Sequence, residues 1–305
     1  MGTTNLNGKN SRLYMHFQKI LHSAQGMDIW GDRAFILYDT GVCAVYDLKK
    51  RDGKSLAQFP LGSYNAGTPS REYLNHANSC MFSDIHYEEN PIPLLYVTIG
   101  TGIGADVDGF FYRCAVENIV MNFDEEGKEQ YTAETIQIIS YQPEGIEMVP
   151  FEQPCWGCPA FFVESQEQAM YMLSARYRTK RGCVPEGECN AYIITKFRLP
   201  KLNEGSMVHL TPRDILDQFV VESDVLFTQG GTLAGKKIYY TYGCPKHDYP
   251  DRILVFDLEK KILCTQIDHL DEAFNWEEIE CCAFYEGQLL CNTCDGSIFV
   301  VEGTL

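Results

Sequence analysis

Three things are scarce in this chain, and each scarcity excludes a class of protein. No apolar run approaches the ~18 residues that a membrane-spanning helix needs, so no membrane partner of that kind is expected. Positive charge is outnumbered: 25 Lys and Arg stand against 42 Asp and Glu, a formal net charge of −17. Such a surface repels phosphate backbones and anionic lipid, which argues against nucleic acid and membrane surfaces as partners. The basic stretches at 49–51 and 176–181 are short enough to read as solvated loop charge. Helical periodicity is the third scarcity. Only residues 211–219 fit a helix, with Thr211 as a cap and Pro212 at the first helical position.

The start of the chain lacks something too. Residues 1–19 are rich in Gly, Asn, Thr and charge and carry no apolar leader core. The expected compartment is the cytoplasm, although an exported chain whose leader has been removed would read the same. Cysteine, by contrast, is plentiful, at thirteen. Cys43, Cys80, Cys114, Cys264, Cys281 and Cys282 lie inside apolar runs, where a free thiol behaves as a small buried hydrophobe. Reduced, buried thiols fit a cytosolic protein. Cys183 and Cys189 flank a turn and would be placed to pair in an oxidising compartment.

What remains is short strands rich in Val, Ile, Tyr and Phe, cut by Gly, Asp, Asn and Pro turns. They repeat. Val45-Tyr46-Asp47-Leu48-Lys49-Lys50 leads to Leu56-Ala57-Gln58-Phe59, and Val255-Phe256-Asp257-Leu258-Glu259-Lys260 leads to Cys264-Thr265-Gln266-Ile267. Upstream of each stands Gln-Gly followed by a turn and an apolar strand, at Gln25-Gly26 and Gln229-Gly230. The same four-strand unit can be traced from Asn78, Trp156 and Glu280. These openers are 53, 78, 73 and 51 residues apart, with 50 residues across the chain ends. The two long intervals carry insertions at 87–93, 100–108, 124–129 and 178–190. The last unit ends one strand short, and residues 12–21 can supply it. Four-stranded units of this size are propeller blades. The expected fold is therefore an all-β, five-bladed β-propeller in one domain spanning 1–305, its N-terminal strand completing the last blade, with residues 1–11 held loosely outside it.

Phe227-Thr228-Gln229-Gly230, Cys155-Trp156-Gly157 and Glu278-Ile279-Glu280 with Asn292 are similar to the blade openings of plant-type glutaminyl cyclases, which are five-bladed propellers. Bacterial propellers of unassigned function share the Gln-Gly and His-Ala-Asn openings at least as well. The resemblance implies the fold. It does not extend to cyclase chemistry, because the family's proton-shuttle Glu is replaced by His76-Ala77-Asn78-Ser79, and the Leu-Thr-Trp that follows in the family is missing.

The innermost strand of a blade faces the ring axis, so candidate ligand-binding residues are Gln25, Asn78, Trp156, Gln229 and Glu280, one per blade. His76 and Glu278 stand two residues earlier, on the same strand face. Two carboxylates, amides, an indole and an imidazole suit a small polar molecule, a peptide or a glycan. Glu278 and Glu280 form a carboxylate pair, but a glycosidase of this architecture spreads its acids over several blades. No metal is expected: Cys155/Cys158 and Cys291/Cys294 have zinc-knuckle spacing but no supporting His. No cofactor motif is defensible either. Gly100-Thr101-Gly102-Ile103-Gly104 lacks the Lys-Ser/Thr of a phosphate loop, and Asp106-Val107-Asp108-Gly109 lacks the later ligands of a calcium loop. The expected function is non-catalytic ligand binding at a polar channel mouth. An enzyme in the same channel, cyclase-like or sugar-cleaving, and a protein-interaction scaffold are the alternatives.

Overall fold

A computed structural model describes residues 2–63, 76–99, 112–141, 156–177, 184–225 and 227–302. The chain enters through two short strands, β1 (Thr4–Asn7) and β2 (Arg12–His16). Blade 1 follows as β3 (Ala24–Trp30), β4 (Arg33–Tyr38), β5 (Val42–Asp47) and β6 (Ser55–Pro60). Blade 2 is β7 (Ser79–Phe82), β8 (Leu95–Thr98), β9 (Tyr112–Phe123) and β10 (Glu129–Tyr141). Blade 3 begins with β11 (Trp156–Glu164), β12 (Ala169–Ala175) and β13 (Ala191–Arg198). After β14 (Met207–Leu210) it closes with β15 (Ile215–Glu222). Blade 4 is β16 (Thr228–Ala234), β17 (Lys237–Cys244), β18 (Tyr249–Asp257) and β19 (Ile262–Asp268). Blade 5 is β20 (Ile279–Tyr285), β21 (Gln288–Thr293) and β22 (Ser297–Val300), with β2 as its outer strand. These five sheets make a five-bladed β-propeller.

The strands are apolar on both sides because both sides are buried. In blade 1, Ala34, Ile36, Tyr38, Ala44 and Tyr46 pack against Cys281, Ala283, Leu290, Ile298 and Val300 of blade 5. Phe35, Leu37, Cys43 and Val45 point the other way, against Cys80, Leu95, Val97 and Ala115 of blade 2. The period-2 alternation of a strand thus feeds two interfaces. Three further clusters fill the remaining blade boundaries. The thiols of Cys43, Cys80, Cys114, Cys281, Cys282 and Cys291 are free and belong to these clusters, whereas Cys264 is only half-buried. Cys189 is free and exposed; Cys183 lies outside the described residues. Among the described residues no helix is long and apolar enough to cross a membrane.

Closure is noncovalent and follows the sequence expectation: Arg12 pairs with Val300, Met15 with Ile298 and His16 with Ser297, antiparallel. Within the segment expected to be held loosely, β1 adds in parallel to the outer edge of blade 4, Thr4 opposite Thr265 and Asn7 opposite Asp268. One part of the sequence reading needs correction. Residues 211–219 are not a helix. Thr211 does cap, but a single 3₁₀ turn (Pro212–Asp214) is all that follows before β15. The β-branched and aromatic Ile215, Phe219, Val220 and Val221 favour a pleated surface over a helix. The strand before that turn, β14, belongs to blade 2, running parallel to β10 with Ile138 opposite Met207.

Candidate functional site

The inner strands β3, β7, β11, β16 and β20 form a ring in which each touches both neighbours. Gln25, Gln229 and Glu280 lie on three of them, Asn78 immediately precedes β7, and Trp156 opens β11. The side chain of Trp156 lies outside what the structure describes, as do residues 100–111 with both glycine- and aspartate-rich motifs, Cys155 and Cys158's side chain. In blades 1, 4 and 5 the pairing of inner with second strand slips at the opener, between Ala24 and Met27, Thr228 and Gly231, and Ile279 and Cys281. Such a bulge frees the extra residue from the ladder and re-aims its side chain.

The axis is tightly packed at this level. The Gly26 amide donates to the Ala77 carbonyl at 2.9 Å, and a Cβ on Gly26 would stand 2.7 Å from that oxygen. A Cβ on Gly230 would stand 2.6 Å from the Asn78 carbonyl and 2.7 Å from Cys281 Sγ. The Gln-Gly repeat is explained by this: the opener supplies a side chain, and the glycine lets the next strand approach. The consequence is a buried polar knot, with Gln25 5 %, Asn78 1 % and Glu280 2 % exposed.

Gln25 Nε2 donates to Glu280 Oε1 at 3.3 Å and to Ser23 Oγ at 2.8 Å. Gln229 Nε2 donates to Glu278 Oε1 at 2.9 Å and to the Gly243 carbonyl at 3.2 Å. Asn292 Nδ2 holds the Gln25 carbonyl at 2.7 Å. Several buried polar atoms have no hydrogen-bond partner, among them Gln25 Oε1, Glu280 Oε2, Asn292 Oδ1, Asp251 Oδ2 and both amide atoms of Asn78. His76 is half-buried; burial pushes its pKa down and Asp39 opposes this.

Two members were not foreseen. Asp251 is fully buried, accepts weakly from the Ile279 amide at 3.5 Å, and has its pKa pushed up to about 9 by burial, with Asp271 and Glu278 adding to it. Cys294 closes the hairpin of blade 5, its amide donating to the Glu278 carbonyl at 3.0 Å. Ligand atoms of Glu278, Glu280 and Cys294 all lie within 4.8 Å of one another. Burial, then the negative charges of Glu280, Asp295 and Glu278, push the Cys294 thiol up to about 12. Burial raises Glu280 well above the carboxylate range, and Glu278, Asp251, Asp295 and Asp39 add to it. The signal for Cys294 lay in the hairpin register: Ile279 pairs with Thr293, which sets residue 278 against 294. Two carboxylates and a thiol at this spacing are a donor set able to hold a cation.

At the opposite end of the axis, where the inner strands finish, lies a cavity of about 520 Å³. Asp28, Trp30, Phe82, Glu164, Lys236 and Phe284 line it. Asp28 accepts from the Ile29 amide at 2.8 Å and the Phe82 amide at 2.5 Å, and burial lifts its pKa to about 7.

No protein family matches the chain, and no curated protein sequence matches it. Among solved structures, it is similar to the glutaminyl cyclase of Myxococcus xanthus, at 9 % identity and a TM-score of 0.49, over 98 % of this chain and 97 % of that one. It is similar also to the computationally designed Ika8 protein, at 11 % identity and a TM-score of 0.30, over 91 % of this chain and 70 % of that one. Likenesses this distant carry no chemistry across, so function is argued from the site itself.

Proposed function

We propose that this propeller binds a positively charged ligand, a metal ion or a small organic cation, at the end of the axis where the inner strands begin. One contrast carries the reading. Glu117, also fully buried, has both carboxylate oxygens filled by the protein: Gly62 N at 3.0 Å, Ser63 N at 3.0 Å and Thr135 Oγ1 at 3.1 Å. That is a structural carboxylate. Glu280 accepts one long bond, and the open oxygens of Gln25, Asn292 and Asp251 stand with it, so acceptors exceed donors around a group of acids. A buried acceptor without a partner costs ~1–3 kcal/mol, and a cation would recover that cost by coordination or by hydrogen bonds. Gln25, Asn78, Gln229, Glu278 and Glu280 are the residues assigned to it, with His76 the half-buried residue two before Asn78.

The test is stabilisation of the full chain by a panel of alkylamines, guanidines, sugars, short peptides and divalent metals. At a hundredfold excess over its dissociation constant a genuine ligand raises stability by ~2.7 kcal/mol, and Glu280→Gln abolishes the rise. Stabilisation by neutral sugars alone, or none by any cation, would count against the reading and leave the scaffold alternative ahead. Catalysis in the same place is the second reading, favoured by a buried Glu280 whose hold on its proton burial strengthens, as a general acid needs. Loss of ammonia from glutaminyl peptides, or cleavage of a glycoside, dependent on Glu280, would support it.

A further inference from the structure

We propose that the cation is a divalent transition metal of the zinc type, held by Glu278, Glu280 and Cys294. The inference rests on the binding function proposed above and names the ligand of that same site. Its geometry comes from blade 5 alone. The β20–β21 hairpin sets Glu278 opposite Cys294, and the bulge at residue 280 carries Glu280 out of the ladder on the same side. The three ligand atoms fall within 4.8 Å of one another. Zinc stands ~2.0–2.2 Å from a carboxylate oxygen and ~2.3 Å from a thiolate, so three ligands about one ion are ~3.5 Å apart, and the group would close by up to about 1.3 Å on binding.

An acidic group alone would not carry this. The second observation is the orientation of Glu280, which is 98 % buried, given its 2 % exposure, with Oε2 free of any hydrogen bond. Gln25 fixes the other oxygen of that carboxylate, and Gln229 fixes one oxygen of Glu278. Amide donors that hold ligating carboxylates in place are what a metal's outer shell supplies. The donor chemistry selects the ion. A thiol excludes calcium and magnesium, which take oxygen, while carboxylates with one thiolate suit zinc, cobalt or iron. Three protein ligands leave a fourth position open, the pattern of zinc sites that engage a further molecule.

The experiment uses full-length protein freed of metal by chelator, then loaded with Co²⁺ as a coloured stand-in for Zn²⁺. One equivalent should bind and give a thiolate-to-cobalt charge-transfer band, which Zn²⁺ then bleaches. Cys294→Ser should remove the band, and Glu278→Gln should weaken Zn²⁺ binding by at least about 100-fold, more than outer-shell partners typically cost. Cys155→Ser should leave both unchanged. Far-ultraviolet circular dichroism separates lost binding from lost folding, and Glu280→Gln gives a second ligand variant of nearly the same shape. A band that survives Cys294→Ser, or vanishes with Cys155→Ser, overturns the assignment. Amines that stabilise the protein through Glu280 while Zn²⁺ does not bind would overturn the metal and leave the cation reading standing. Failure of both would sink the two together.

Discussion

Asp28→Asn should change sign with pH. In the folded chain the Asp28 carboxyl is enclosed although part of the residue faces the far cavity, and its pKa moves from 3.8 to about 7. An acid whose folded pKa is raised costs nothing below about pH 4, where both states hold the proton. As pH rises, the unfolded chain releases it and the folded chain does not, so stability falls by ~1.4 kcal/mol per pH unit until about pH 7. Across those roughly three units the loss reaches ~4 kcal/mol. Asparagine removes that slope but has one acceptor where Asp28 uses two, for the Ile29 and Phe82 amides. Orphaning one amide costs ~1–3 kcal/mol at every pH. The wild type has already lost ~1 kcal/mol by pH 4.5, so the variant should be less stable by ~0–2 kcal/mol there and more stable by ~1–3 kcal/mol at pH 8.5. Urea denaturation of both proteins at half-unit steps reads this directly, since comparison at each pH cancels every other titration. A difference that stays flat from pH 4.5 to 8.5, or grows more unfavourable with pH, refutes the burial of that carboxyl.

Two further outcomes follow from the ring. Gly230→Ala forces a Cβ against the Asn78 carbonyl and Cys281; it should lower stability by ~1–3 kcal/mol, read as a lower urea midpoint with an unchanged slope. Removing residues 1–8 takes away only the exposed β1 and should shift the melting temperature slightly, whereas removing residues 1–22 also takes β2, exposes the edge of β22 and should cost solubility. Equal melting temperatures for the 1–22 deletion and wild type would contradict the closure.

The blades were legible because the interior dictates them. RAFILY and VCAVYD must serve two interfaces at once, which is why their apolar residues run in succession rather than alternating. Gln-Gly was legible as a repeat but not as a cause, since the close approach of Gly26 to Ala77 involves residues from different blades. The edges were not legible. Thr4-Asn5-Leu6-Asn7 is held to β19 by backbone bonds, and with only Leu6 half-buried its side chains leave no apolar pattern to read. The β9–β10 hairpin runs to Phe123 and Glu129, so the expected insertion there shrinks to a turn. At the site, Asp251 and Cys294 were missed for one reason: both reach the acids through the ends of second and third strands, whose relation to the axis depends on hairpin register rather than on spacing from an opener.

The strands β1 and β14 share a property that reaches beyond their size. Each comes just before the outer strand of one blade, and each lies on the outer edge of the blade before it. The polypeptide thereby stitches blade 2 to blade 3 and blade 4 to blade 5, while blade 1 carries no such stitch among its described residues. An outer strand cannot peel from blade 3 or blade 5 without pulling at its neighbour's rim. Local opening, the graded loosening that precedes global unfolding, should then proceed by pairs of blades. Blade 1, bound to blade 5 by covalent continuity through β2 and to blade 2 by packing, the Gly26–Ala77 backbone bond and the Arg33–Glu129 ion pair, becomes the hinge of the ring.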